Sequence, residues 1–127
     1  MNNRSFGFSG ESHACSFLED RGYSILARNY KNSYGEIDII AQDKGFLCFI
    51  EVKSRASADF GDPSESVGPA KQRHIIRAAL QYLQDNRCLN RKCRFDVVTV
   101  VSGKPHPQVQ LIKDAFCLEG EDAQKYV

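Results

Sequence analysis

The sequence predicts an α/β fold, a mixed β-sheet flanked by helices, with elements in the order α-β-β-β-α-β-β. Three observations carry this expectation. Apolar residues recur at helical spacing in two stretches, Ser9 to Arg21 and Pro69 to about Asn86. Short alternating or β-branched runs fill the remainder, bounded by Gly, Pro, Asn and Asp. A strand-helix-strand step from Phe46–Ser54 to Arg94–Val101 calls for a parallel pair with a right-handed crossover, and the other neighbours read as antiparallel.

Each element has its own signal. In the first helix Ala14, Phe17 and Leu18 form the stripe, and Gly22 stops it. Tyr23 to Tyr30 alternates as a strand, and Asn29 to Gly35 reads as a polar loop. Ile37–Gln42 and Phe46–Ser54 form a hairpin about an Asp-Lys-Gly turn. Arg55 to Gly68 is the longest loop, rich in small and breaking residues, and loops of that length in compact domains often carry function. Pro69 opens the second helix, where its missing N–H costs nothing. The helix stripe is Ile75, Ile76, Ala79, Leu80 and Leu83. Arg94–Val101 is a β-branched strand, Ser102 to Pro107 breaks it, and Val109–Ile112 is a short last strand.

The 127 residues are one domain's worth of chain, expected as a single unit over 1–127 with loose ends at 1–8 and 118–127. With 42% hydrophobic and 26% charged residues, 4 Pro and 9 Gly, a collagenous or wholly disordered chain is excluded. No apolar run approaches the ~18 residues of a membrane span, so no membrane partner is expected. The N-terminus lacks the apolar core of a secretory signal. Five cysteines without a Cys-x-x-Cys spacing fit neither a disulfide framework nor a structural zinc site, which suits a reducing cytoplasm. The net charge is +1, yet Lys71 to Arg94 holds seven basic residues against one acid. That stretch is either a solvated helix face or a patch for phosphate.

The chemistry concentrates in the hairpin. Asp38 lies between Ile37 and Ile39, and Glu51 between Ile50 and Val52. A register in which paired residue numbers sum to 89 sets Asp38 opposite Glu51, and period two puts Lys53 on the face of Glu51. Acids inside apolar strands need a partner, a proton or a metal. Two facing carboxylates repel, and a hard divalent cation such as Mg²⁺ removes the repulsion. A lysine beside them would position or deprotonate a water, or hold developing negative charge. This set suits metal-assisted phosphodiester hydrolysis. The same residues would also serve a solvent-facing Asp38–Lys53 ion pair. Glu11, near the inward face of the first helix, and Gln72, continuing the stripe of the second, suggest convergence on one cleft. Their plainer readings are a first-turn acid favoured by the helix dipole and a stripe end meeting solvent. Asp96 is a fifth candidate, or a strand-end acid bonded to backbone.

The ordered motifs Gly10-Glu11, RGYSILARNY, GEIDIIA, FIEVKSR, FGDP, PAKQRHI and RFDVV resemble the YraN-like family of bacterial proteins. That family is placed among predicted endonucleases of the PD-(D/E)XK superfamily, relatives of archaeal Holliday-junction resolvases. The resemblance covers about residues 7 to 116, and GEIDII with FIEVKSR is its specific core. It implies a restriction-endonuclease-like fold and a Mg²⁺-dependent nuclease, with Mn²⁺ as substitute, acting on DNA that is branched or otherwise structured. Asp38 matches the first acid of the motif, Glu51 and Lys53 its second half, and Glu11 the helix acid that joins the metal shell. Gln72 matches a polar helix residue near the active site. Ile37 stands where the signature has proline. The Val52 carbonyl would complete the metal shell. Lys71, Arg73 and Arg77 are candidate phosphate contacts, and Arg55 with the 56–68 loop would clamp the strand. Paired cuts would need a two-fold homodimer. The alternative is a non-catalytic nucleic-acid-binding or adaptor module on the same fold.

Overall fold

The computed structural model describes residues 3–55, 67–103 and 105–116, with side chains from Gly10 onward. Its elements are α1 (Asn3–Asp20), β1 (Ser24–Asn32), β2 (Gly35–Asp43), β3 (Phe46–Arg55), α2 (Pro69–Asp85), β4 (Lys92–Val101) and β5 (Gln108–Phe116). They build a five-stranded mixed sheet in the order β1-β2-β3-β4-β5. Only β3 and β4 run parallel, joined through α2, and the other three pairs are antiparallel. This is the α/β order and pairing that the sequence predicts.

Several boundaries differ by a few residues, and three of them bear on the fold. The first helix starts at Asn3, within the stretch expected as a loose end, whereas residues 117–127 lie outside the description. β1 continues to Asn32, through what reads as a loop. There the Asn32 side-chain oxygen accepts the N–H groups of Tyr34 and Gly35, so the chain reverses tightly and Asn32 pairs with Gly35. β5 runs on to Phe116, because its ring stacks on Phe95 with centroids 5.1 Å apart. That anchor lies beyond the short apolar run visible in sequence.

The sheet divides two cores. On one face α1 sets Ala14, Cys15 and Leu18 against Ile39, Ile50 and Val98. On the other, α2 sets Ile75, Ile76, Ala78, Ala79 and Leu83 against Ile40, Leu47, Phe49 and Val97. Leu80 is half-buried at the edge of that stripe. Two glycines allow close approach. A Cβ on Gly10 would collide with Ser54 Oγ, and one on Gly35 would lie 3.2 Å from the His74 carbonyl oxygen. The first lets α1 sit down on the end of β3. The second lets the β1–β2 turn press against α2.

Candidate active site

The β2–β3 register sums to 89 from Asp43↔Phe46 to Ile39↔Ile50, and there the ladder stops. The next residues in register are Asp38 and Glu51. The Val52 N–H donates to Asp38 Oδ2 at 2.8 Å, so a carboxylate takes the place of a backbone acceptor where the strands part. β2 is irregular here. Ile39 packs on the α1 side and Ile37 on the α2 side, so strict alternation breaks at Asp38. Across the β1 ladder the residue between the Arg28 and Tyr30 pairs is Asn29, at φ 53°. Both neighbours of β2 therefore leave room at the same point.

The charges there are unevenly placed. Glu51 is 6% exposed, and its carboxylate lies within hydrogen-bonding reach of Asp38. Burial and the Glu51 charge push the Asp38 carboxyl up to about 7, against the Val52 N–H, which favours the ionised form. Two ammonium groups lean on one Glu51 oxygen: Lys71 Nζ at 2.5 Å and Lys53 Nζ at 3.5 Å. Burial, then the neighbouring Lys71, lowers the Lys53 pKa. For Lys71 burial acts the same way, but the contacts to Glu51 and Lys53 outweigh it, and its pKa rises. These groups edge a small cleft of about 160 Å³, lined by Gly35, Glu36, Asp38, Glu51, Lys71, His74 and Ile75.

The structure thus brings Asp38, Glu51 and Lys53 together. Val52 contributes its backbone N–H to Asp38. Glu11 is half-buried on α1 and reaches Asp38 through its charge alone. Among the described residues no three His, Cys, Asp or Glu gather around one point. Gln72 requires a correction of one residue in helical phase. Its amide donates to the Val67 carbonyl at 2.8 Å, bracing the entry to α2, and Lys71 meets the acids instead. The buried stripe is two residues wide, with Lys71 one turn before Ile75 and Gln72 one turn before Ile76. Sequence spacing does not choose between them. Lys71 is accordingly engaged with Glu51 rather than held out for phosphate, while Arg73 and Arg77 are exposed on α2. Arg55 is half-buried at the end of β3, where its carbonyl accepts the Ser102 N–H. Of the 56–68 loop, residues 56–66 lie outside the described residues. Glu36 and His74 line the cleft without having been singled out by sequence. Their signals were slight: Glu36 stands two before Asp38 in GEID, and His74 lies one turn after Lys71.

Asp96 belongs elsewhere. On the α1 side of the sheet, Arg94 donates to both its oxygens, at 2.9 to 3.2 Å, and to Asp43 at 2.9 Å. The same guanidinium donates to the Tyr23 hydroxyl, and the Asp114 N–H completes Asp96. Burial opposes ionisation of Asp43, but Arg94 and Lys113 outweigh it and lower its pKa.

The donor set at Asp38 and Glu51 suits a hard divalent cation. The oxygens face each other, one acid carries a raised pKa, and an ammonium already occupies the other. Two carboxylates leave the remaining positions to water or substrate oxygen, as Mg²⁺ prefers.

Fold and site together define a mixed α/β protein with a facing acid pair and a lysine where two strands separate. The chain belongs to UPF0102, described as an uncharacterised protein family, whose model matches residues 10–100. It is 48% identical over 117 residues to a UPF0102 protein of Clostridium perfringens (strain 13 / Type A), covering 90% of this chain and 95% of the relative. A UPF0102 protein of Desulfosudis oleivorans is 48% identical over 111 residues, 87% of this chain and 89% of its own. One from Caldicellulosiruptor saccharolyticus is 44% identical over 118 residues, covering 91% of this chain and all of the relative. Among the described residues, no helix is long and apolar enough to cross a membrane.

Proposed function

We propose that this protein is a metal-dependent endonuclease of restriction-endonuclease-like fold, hydrolysing phosphodiester bonds in branched or otherwise structured DNA. The carrying observation is the meeting of Asp38 and Glu51, with Lys53 on the same acid, at the point where β2 and β3 part. A structural role alone would not call for two carboxylates facing each other. Asp38 and Glu51 would hold Mg²⁺ or Mn²⁺. When bound, the ion lowers the pKa of a water and offsets charge on the scissile phosphate. Asp38, which lines the cleft, is held in place by the Val52 N–H. Lys53, with its pKa lowered by burial and by Lys71, is suited to orient the attacking water. Exposed Arg73 and Arg77 give α2 a face for backbone phosphates, a contact that is independent of sequence and sensitive to salt.

The test is cleavage of single-stranded, duplex, flap and four-way-junction DNA with Mg²⁺ or Mn²⁺, for wild type and Asp38→Asn. Metal-dependent cutting by wild type and not by the variant supports the reading. DNA binding with neither metal binding nor cleavage on any substrate overturns it in favour of the adaptor module.

A further inference from the structure

The odd member of the site is Lys71. It stands on the first turn of α2, and its ammonium lies 2.5 Å from Glu51 Oε1, closer than Lys53 at 3.5 Å on the same oxygen. Lys53 comes from the strand that carries Glu51, so it already supplies that acid with a counter-charge. A second ammonium on one oxygen is more than the acid needs, and it crowds the oxygen a metal would use. An ammonium on that oxygen competes with a divalent cation for its lone pairs and opposes it by charge. The two lysines differ in freedom: the Lys71 side chain is 45% exposed, that of Lys53 25%. Lys71 is therefore the freer of the two to swing outward from the helix.

We propose that Lys71 is an internal stand-in for the metal ion: it holds Glu51 while no substrate is bound, and incoming backbone phosphate draws it away so that metal and DNA load together. The proposal rests on the metal-dependent reading of Asp38 and Glu51. Its physical content is a three-way competition. The metal and the ammonium compete at Glu51, and phosphate competes with Glu51 for the ammonium. Metal and DNA then strengthen each other's binding by the same factor, as linkage requires. Discharged metal affinity outside the complex follows, which keeps the site from filling without substrate.

Calorimetric Mn²⁺ titration tests this without recourse to turnover. Wild type, Lys71→Met, Lys71→Arg and Glu51→Gln are titrated alone and with phosphorothioate-linked duplex DNA, which is not consumed. Lys71→Met should bind Mn²⁺ about tenfold or more tightly than wild type in the absence of DNA, since one positive charge leaves contact with the site. Lys71→Arg should stay near wild type, because it restores the charge. DNA should tighten Mn²⁺ binding by wild type and leave Lys71→Met nearly unchanged. Equal Mn²⁺ affinity of wild type and Lys71→Met, with binding still lost in Glu51→Gln, overturns the stand-in and leaves the metal site standing. If Mn²⁺ binding is absent from all four proteins, with and without DNA, the metal-dependent reading falls and the stand-in falls with it.

Discussion

Two clusters in one sheet solve the problem of two buried or half-buried acids in opposite ways. On the α1 side, Asp43 and Asp96 flank one guanidinium, which donates to both, and a backbone N–H completes Asp96. On the α2 side, Asp38 and Glu51 face each other, and both ammonium groups lean on Glu51. The proton affinities record the difference: Asp43 is lowered, Asp38 raised to about 7. Charge balance is not what separates them, since each cluster pairs two acids with two cations. Geometry is. Arg94 forks between its acids, whereas both lysines reach a single oxygen of one of theirs. A cluster that is satisfied holds the sheet together; one left frustrated is available for a cation or substrate.

The largest expected effect tests whether frustration marks function. Asp38→Asn or Glu51→Gln should cut metal-dependent cleavage by about a thousandfold or more, roughly 4 kcal/mol of transition-state stabilisation. DNA binding should survive or tighten, because negative charge facing the phosphate is removed. Measured on folded protein, Asp43→Asn should leave turnover unchanged. Variants at Asp38 and Glu51 that cut as fast as wild type would erase the contrast.

Second is the converse for stability. Arg94→Met leaves buried Asp96 without a cation and Asp43 with Lys113 alone, and should cost about 3–5 kcal/mol in urea unfolding. Lys71→Met, partly exposed, should change stability by less than about 1 kcal/mol. A mild effect at Arg94 would mean that the satisfied cluster is not what braces the α1 face.

How much of this contrast is legible in the sequence depends on which links are local. The hairpin register is legible because Asp43, Lys44 and Gly45 are turn residues, and Lys44 takes the positive φ (55°) that such a turn needs. That fixes Ile39 against Ile50 and so places Asp38 near Glu51. Lys53 follows by period two. The choice of Lys71 over Gln72 is not legible, since both continue a stripe two residues wide and tertiary contact with β3 decides. The Arg94 cluster is hidden for a different reason. Its members, at 23, 43, 94, 96 and 113, meet only through strand pairing across the sheet. From sequence alone Arg94 was simply one residue of a basic stretch. The break in alternation at Asp38 was equally hidden, because it depends on Asn29 in a neighbouring strand.

Third, pH should separate the clusters. A carboxyl whose pKa is higher in the folded chain keeps its proton over a range in which the unfolded chain has lost it. The stability from Asp38 is therefore fully present below about pH 4 and is lost as pH rises to about 7. Asp38→Asn does not ionise, and its oxygen can still accept the Val52 N–H. It should gain on wild type through that window and be more stable by about 1–3 kcal/mol at pH 8. Asp43 has the opposite sign, its contribution being present above its ordinary pKa and lost on acidification. From pH 5 to pH 8 the urea midpoint of Asp38→Asn should rise relative to wild type, whereas that of Asp43→Asn should stay below wild type across that range and approach it only on acidification below about pH 4. Parallel shifts would break the comparison.

The smallest effect concerns the one further polar group on the functional side that is left unmatched. Among the described residues, Thr99 Oγ1 is buried without a hydrogen-bond partner, and Thr99 pairs with Lys53 across the β3–β4 ladder. Burying a hydroxyl without a partner forfeits its bonds to water. Thr99→Val replaces the hydroxyl by a methyl of similar shape and keeps the β-branched fit to the strand. We expect a gain of about 0.5–1 kcal/mol in urea unfolding, with the rate of cleavage unchanged. That result confines the functional frustration to Asp38 and Glu51. If Thr99→Val instead slows cleavage while stabilising the fold, the unmatched region extends across the ladder to Thr99. The hydroxyl would then act by positioning Lys53, and a shift in the pH-rate profile, absent for a purely structural residue, would show it.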